Sequence, residues 1–515
     1  MKKFLILIIT FNALLLNAVE RQFSDPLFDD FLKEFYDEYI CETKHAVAPT
    51  GLTSPCGGRI FSPLSSVPIP PPAPPAPPLP SPPAPMANFL PILLTNTTGK
   101  PDSDVYVVIT GQNTSNDIGV LSIAGGIGTY VLGVSGNTLD TYVYKFSSLP
   151  ASGANRLIYL PEIISSRFWF SVDAPLKMSF NTTKTGAVGL VEPNFTNPND
   201  PNFNIIFDKA ELNFQLTPSV SIFTDATAVD FFSMPIFIYL NSPDVAPQNN
   251  TGLTYARSTA MGYLEEVLNF PNEPEKDQWN NLVIRDAGGT PLRVASTQNA
   301  ISAPKDPSNP SLGQIFDPNY LDNLGAYGYS YLNNIWENTT SFYRKNQLRM
   351  VGYNSGETYI GTVQGDNSII FNSTSSSKTV TFDPPTTGPT PVDTTSFKIF
   401  GGKPLFTTDT TGVGDAVQLS KLFEECIITG LIPTTDTISL QYLINKQADY
   451  YKINSSLTSN GQMSGPWYDV YSQGLHNLGL IYAYAYDDAF WIQVQIHSET
   501  LSPTTFVNFV LNPLN

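Results

Sequence analysis

Residues 210–232, AELNFQLTPSVSIFTDATAVDFF, bring three carboxylates, Glu211, Asp225 and Asp230, into a stretch that reads as one β-hairpin. Two carboxyl groups facing one groove can divide the work of a hydrolysis. One donates a proton to a leaving oxygen while the other takes a proton from the attacking water. The first limb, residues 205–216, alternates: Ile206, Ala210, Leu212, Phe214 and Leu216 share one face, and Lys209, Glu211, Asn213 and Gln215 share the other. Glu211 is therefore expected to point away from the core, among polar neighbours. Asp225 and Asp230 have opposite parity, so both reach one cleft only if a bulge or bend lies between them. The competing reading of any acidic residue on a strand's outer face is a solubilising charge.

The surroundings favour the chemical reading. The hairpin resembles the acidic-cleft hairpin of thaumatin-like proteins, where an Ala-Glu-Phe-Thr strand is followed by an Asp and then by Val-Asp-Gly-Phe; Ala210, Glu211, Asp225, Val229 and Asp230 stand at those places. It resembles more closely glycoside hydrolase family 64, β-1,3-glucanases on a thaumatin-like barrel, in which Glu-Phe-Thr leads to Asn-x-Thr-Gln-Val-Asp-x-Phe. Glu211, Thr227, Val229, Asp230 and Phe232 match that pattern. LPEIISSRFWFSVDAPLKMSF (160–180), VEPNFTNPNDPNFNIIFD (191–208), QWNNLVIRD (278–286), TPLRVAS (290–296) and LGLIYAYAYDDAF (478–490) resemble further family motifs in the same order.

The resemblance implies an inverting glycosidase with Glu211 as general acid and Asp230 as general base, acting on β-1,3-glucan. It also implies substrate contacts from Asn213, Gln215, Phe223, Asp225, Thr227, Asp487 and Asp488. Crowding by Asp230 and Asp225 is expected to raise the pKa of Glu211 and keep it protonated. The chain departs from the pattern at Asn213 for Thr, Gln215 for Asn, Asp225 for Asn, Ala228 for Gln and Phe223 for Trp. Those changes leave a second reading open, a non-catalytic thaumatin-like protein whose cleft binds β-glucan without cleaving it. No cofactor is implied, and no metal: His45, His476 and His497 are scattered, and Cys41, Cys56 and Cys426 lack zinc-site spacing.

The composition agrees with a neutral polysaccharide partner. Lys and Arg number 27 against 45 Asp and Glu, for a formal charge of −18 in 515 residues. That balance argues against nucleic acid and anionic membrane surfaces, whereas uncharged sugars bind through hydrogen bonds and aromatic faces. Residues 1–18 read as a secretory signal, with Lys2 and Lys3 before an apolar run and Leu16-Asn17-Ala18 as cleavage site, so a secreted, extracellular protein is expected. The alternative is an N-terminal membrane anchor; no later segment is long and apolar enough to span a bilayer. Cys41 and Cys56 could pair in an exported protein.

Around the hairpin the chain divides by pattern. Residues 19–61 hold a short acidic amphipathic helix (SDPLFDDFLKEFYDEYI), which either docks on the main module or binds a partner. Residues 62–86 are a proline-rich tract expected to run as an extended polyproline spacer, with a ligand for a proline-reading domain as the alternative. Residues 87–241 alternate as strands, consistent with barrel or sandwich; residues 242–474 mix helices and strands; residues 475–515 return to strands. The expected fold is mainly β with α+β character: a thaumatin-like β-barrel or sandwich carrying an inserted mixed α/β domain, with a groove between them.

Overall fold

The computed structural model describes residues 70–515 apart from 79, 246–248, 270–274, 323–330, 338, 340, 389, 410–413, 433, 452–467 and 488–493. The expected signal segment, acidic helix, Cys41, Cys56 and Asp488 lie outside the described residues. Short alternating runs separated by Asn, Asp, Gly and Pro become the strands β1 (Leu90–Asn96), β2 (Val105–Gln112), β3 (Ile118–Ala124), β4 (Ile127–Leu132), β5 (Asn155–Leu160), β6 (Ile163–Val172), β7 (Ile206–Gln215), β8 (Ser221–Asp225), β9 (Ile236–Asn241), β10 (Asn250–Gly252), β11 (Gln495–Ser498) and β12 (Phe506–Leu511). They pair in the order β10-β9-β12-β1-β5-β4-β3-β2-β6-β7-β8-β11, one continuous path that curls nearly into a barrel. The Thr251 hydroxyl of β10 lies 2.6 Å from the Val494 carbonyl next to β11, so a side chain draws the two open edges together.

The inner face of the sheet is filled by large apolar side chains. Phe168 of β6 stacks on Phe509 of β12 at 4.7 Å between ring centroids, and Phe170, Ile158, Leu212 and Phe214 complete the packing around them. Along β7 the even residues of the expected core set turn inward, with Ala210, Leu212 and Phe214 fully buried. The outer face differs from a simple solvent face. A second apolar cluster of Val108, Trp169, Leu176, Met178, Phe180, Phe207 and Phe231 covers its lower half. Lys209, read from alternation as solvent-facing, is buried there for this reason.

Between β10 and β11 the chain leaves the sheet and builds the mixed segment. Among its helices are α1 (Arg257–Leu268), α2 (Thr297–Ser302), α3 (Asp415–Ile428) and α4 (Val470–Leu478). Ser296 caps α2 and Asp469 caps α4, each side chain accepting from a first-turn amide. A six-stranded sheet packs beside α3, whose Phe423 meets Phe382 edge to face at 5.7 Å. Gly474 of α4 allows close approach to α1, because a Cβ there would stand 2.7 Å from Leu264. No described helix is long and apolar enough to cross a membrane.

Two expectations change. The alternating segment 480–487 is not a strand, although it sits beside the sheet; it makes single bridges, Tyr482 to Thr227 and Leu480 to Gly252. Its backbone finds another partner, since Asp487 Oδ2 accepts the amides of Ala483 and Tyr484, both at 2.7 Å, and closes a turn. The tyrosines reach outward to carbonyls instead, Tyr484 to Ile399 at 2.7 Å and Tyr486 to Gly402. The described part of the proline tract is docked rather than free. The hydroxyls of Tyr255 and Thr254 donate to the carbonyls of Pro71 and Pro74, Tyr159 donates to that of Ala84, and Pro83 is buried.

Because Phe168 joins β6 to β12 across the barrel interior, Phe168→Ala is expected to lower the unfolding free energy by about 3–5 kcal/mol in urea titrations. Leu132→Ala, at a side chain 54% exposed, is expected to stay within about 0.5 kcal/mol of the parent.

Candidate functional site

Register places the candidate residues in rungs across four strands. Arg167 of β6 pairs with Glu211 of β7, Glu211 with Asp225 of β8, and Asp225 with Gln495 of β11. The next rung on the same face holds Asn213, Phe223 and His497. Phe223 and His497 stack face to face, with centroids 4.1 Å apart and planes inclined by 15°. Gln215 follows opposite Ser221, its Oε1 3.4 Å from Asn213 Nδ2. One rung in the other direction lie Trp169 and Lys209.

Asp230 joins this face through a bend. After Asp225 the chain leaves β8; Thr227 bridges to Tyr482, the Ala228 amide donates to the Tyr482 carbonyl at 2.6 Å, and Phe231 pairs with Ala295. The opposite parity of Asp225 and Asp230 is thereby reconciled. The Asp230 carboxylate comes to rest on Lys209, whose ammonium donates to Oδ2, while Asn299 of α2 donates to Oδ1 at 3.1 Å. The backbone is held too, with the Ser296 amide donating to the Asp230 carbonyl at 2.9 Å. The barrel supplies the carboxylate, and the inserted segment aims it.

Charges alternate across the face. The Arg167 guanidinium contacts Glu192 through Nη1 and stands 3.4 Å from Glu211 Oε1 through Nε. Glu211 and Asp230 are each 32% exposed at the side chain, open enough to meet a solute, whereas Lys209 is 1% exposed. Burial alone would raise the Asp230 carboxyl; the Lys209 charge and hydrogen bond, the Asn299 hydrogen bond and the Arg167 charge outweigh it and hold the group below the ordinary Asp value. On the opposite face of β7 from Lys209, burial pushes Asp208 up to about 7 against three backbone amide donations and Lys209.

The expected residues therefore separate. Glu211, Asp230, Asn213, Gln215 and Phe223 gather on one face. Asp225 stands opposite Glu211 but is only 4% exposed, so it lies beneath that surface. Thr227 is 2% exposed, held inside by its bridge to Tyr482, and cannot reach a sugar there. Asp487 is likewise corrected from groove to core: at 1% exposure it closes the turn described above and bonds His476 Nε2 at 3.0 Å. The expected crowding of bare carboxylates is corrected as well, since Arg167 stands beside Glu211 and Lys209 beside Asp230.

Alternation alone did not single out Lys209, Glu192, Asn299 or His497. The parity of β7 does place Lys209 with Glu211, yet its burial depends on the cover from residues 176–207 and Phe231. Asn299 carried no signal, being brought to Asp230 from 69 positions away. Among the described residues no group of three or more His, Cys, Asp or Glu could hold a metal ion.

Arg167→Met would leave Glu192 and Glu211 facing each other without their shared cation. The variant is expected to lose about 1 kcal/mol at pH 7, as read by thermal unfolding.

A family model described as β-1,3-glucanase, glycoside hydrolase family 64, matches residues 88–504. Among solved structures, the chain is similar to a laminaripentaose-producing β-1,3-glucanase in complex with laminaritetraose, at 18% identity and a TM-score of 0.59, covering 84% of this chain and 100% of that one. It is similar to the same degree, 18% identity and TM-score 0.59 over 84% and 100%, to a β-1,3-glucanase domain from Clostridium beijerinckii. No curated protein matches.

Proposed function

The chain belongs to glycoside hydrolase family 64, the β-1,3-glucanases, and from that premise we propose that it is an exported enzyme cleaving β-1,3-glucan with inversion, with Glu211 as general acid and Asp230 as general base. Membership makes it a glycosidase. The observation that carries the assignment of roles is the unequal setting of the two carboxylates. Asp230 is tied to a buried ammonium and an amide donor that favour its ionised form, which is the form a base must have. Glu211 shares its cation with Glu192.

The reaction then follows. Asp230 takes a proton from a water, whose oxygen attacks the anomeric carbon; the glycosidic carbon–oxygen bond breaks as Glu211 gives its proton to the leaving oxygen. Solvent afterwards restores both groups. Inversion needs carboxyl groups about 6.5–9.5 Å apart to admit the water.

Phe223 and His497, stacked on each other, stand beside the amides of Asn213 and Gln215 on the face that would receive the sugar, where an outer ring face and the amides could contact a pyranose. The similar enzyme crystallised with laminaritetraose supports a β-1,3-linked chain as the occupant. Export rests on the charged and apolar N-terminal run, whose removal would leave a mature chain starting after Ala18.

The test is release of oligosaccharides from a linear β-1,3-glucan. Glu211→Gln and Asp230→Asn are each expected to lower kcat by about 10²-fold or more; Glu211→Gln should leave thermal stability little changed, whereas Asp230→Asn should also lower it, because the buried Lys209 ammonium loses its carboxylate partner, and the first product should appear as the α-anomer by proton NMR. Wild-type binding without release would leave a glucan-binding protein instead.

A further inference from the structure

The buried ammonium beneath the catalytic face has no part in bond making, yet the fold goes to some length to keep it there. Lys209 lies on the same face of β7 as Glu211, one rung away, with its side chain 1% exposed. Its Nζ sits 5.3 Å from the centre of the Trp169 ring and donates to Asp230 Oδ2. Trp169 is itself fixed, donating from Nε1 to the Thr110 hydroxyl at 3.1 Å. An ammonium taken out of water is unfavourable unless it is paired, so the pair with Asp230 is what permits this burial. The pair is asymmetric: the cation is walled in, while about a third of the carboxylate side chain, 32%, faces solvent.

The other charged and titratable groups around Asp230 come from each neighbouring element. Arg167 stands on β6, Glu211 on β7 and Tyr471 on α4, with Asp208 on the opposite face of β7; α2 contributes only the neutral Asn299. Asn299 holds one carboxylate oxygen and Lys209 the other, so the two together set the plane in which the group points. Of the two cations, Lys209 makes the direct hydrogen bond.

We propose that Lys209 is a positioning residue for the hydrolysis, which keeps Asp230 ionised, orients it toward the attacking water, and thereby sets the acid limb of the enzyme's pH profile. The inference rests on the reading of Asp230 as the base. When Asp230 takes the proton from water, the ion pair becomes an ammonium beside a neutral acid, a poorer arrangement in a buried place, so the proton passes on to solvent and the ionised pair is restored. The same interaction that holds Asp230 in place therefore favours its return to the ionised state after each turnover.

The measurement is kcat/KM against pH on a linear β-1,3-glucan for wild type, Lys209→Met and Lys209→Arg. Methionine keeps an unbranched chain of similar bulk without the charge. The acid limb of Lys209→Met should move upward by about one pH unit or more while the alkaline limb stays, and Lys209→Arg should retain the wild-type acid limb. An acid limb for Lys209→Met that coincides with wild type overturns the proposal. Should Lys209→Met fail to fold, a carbon-13 NMR titration of the Asp230 carboxyl in the unaltered protein decides: a value below the ordinary Asp range supports the proposal, and an ordinary or raised one overturns it. Asp230→Asn run alongside separates the two levels. If it keeps wild-type turnover, the assignment of the base falls and this inference with it; if it is inactive and the acid limb of Lys209→Met is unmoved, the inference alone falls.

Discussion

A sheet that curls back on itself has its inner face committed before any chemistry is considered. Phe168, Phe170 and Phe509 fill the interior, so β6, β7 and β8 can present functional side chains only outward. Everything distinctive about the site follows from how that outer face is used. Its lower half is covered by the cluster around Trp169 and Phe207, and its upper half carries Arg167, Glu211, Asn213, Phe223 and His497 in register. Lys209 lies where the two halves meet, and that is why an ammonium is both buried and within reach of a carboxylate.

The inserted segment does more than wall one side. Its strand at Pro291–Ala295 pairs with Phe231 and Phe232, and α2 follows at once, so Ser296 and Asn299 arrive beside Asp230. Arg257 at the start of α1 reinforces the same seam through the carbonyls of Ser233, Pro291 and Leu292. The two proposed catalytic groups thus stand on different kinds of support. Glu211 is set by strand register with Arg167 of the neighbouring strand beside it, whereas Asp230 is set by a bend and by residues from a separate layer.

Parts of the molecule use the same residue types to opposite ends. Asp230 and Asp487 are both aspartates on irregular segments that border the barrel. Asp230 keeps an exposed oxygen-bearing face, while Asp487 spends its carboxylate on two backbone amides and His476 in the core. The difference is a matter of what packs behind each, and a motif alone does not contain that information.

What the sequence determined by itself was whatever depends on neighbours in the chain. The period of two along residues 205–216 put Glu211 outward and Leu212 and Phe214 inward. The pattern of residues 242–474 anticipated helices mixed with strands, and ordered motifs pointed to the family. The tertiary structure decided the rest. Alternation could not tell that Lys209's outer face is roofed over, because the roof comes from residues 176–207 and Phe231. It could not turn residues 480–487 from strand to turn, because that depends on Asp487 offering its carboxylate to amides the sheet would otherwise bond. Nor could it bring Asn299 to Asp230. Local pattern records which side of a strand a residue takes, and the electrostatic state of a carboxylate depends on which distant groups share its space.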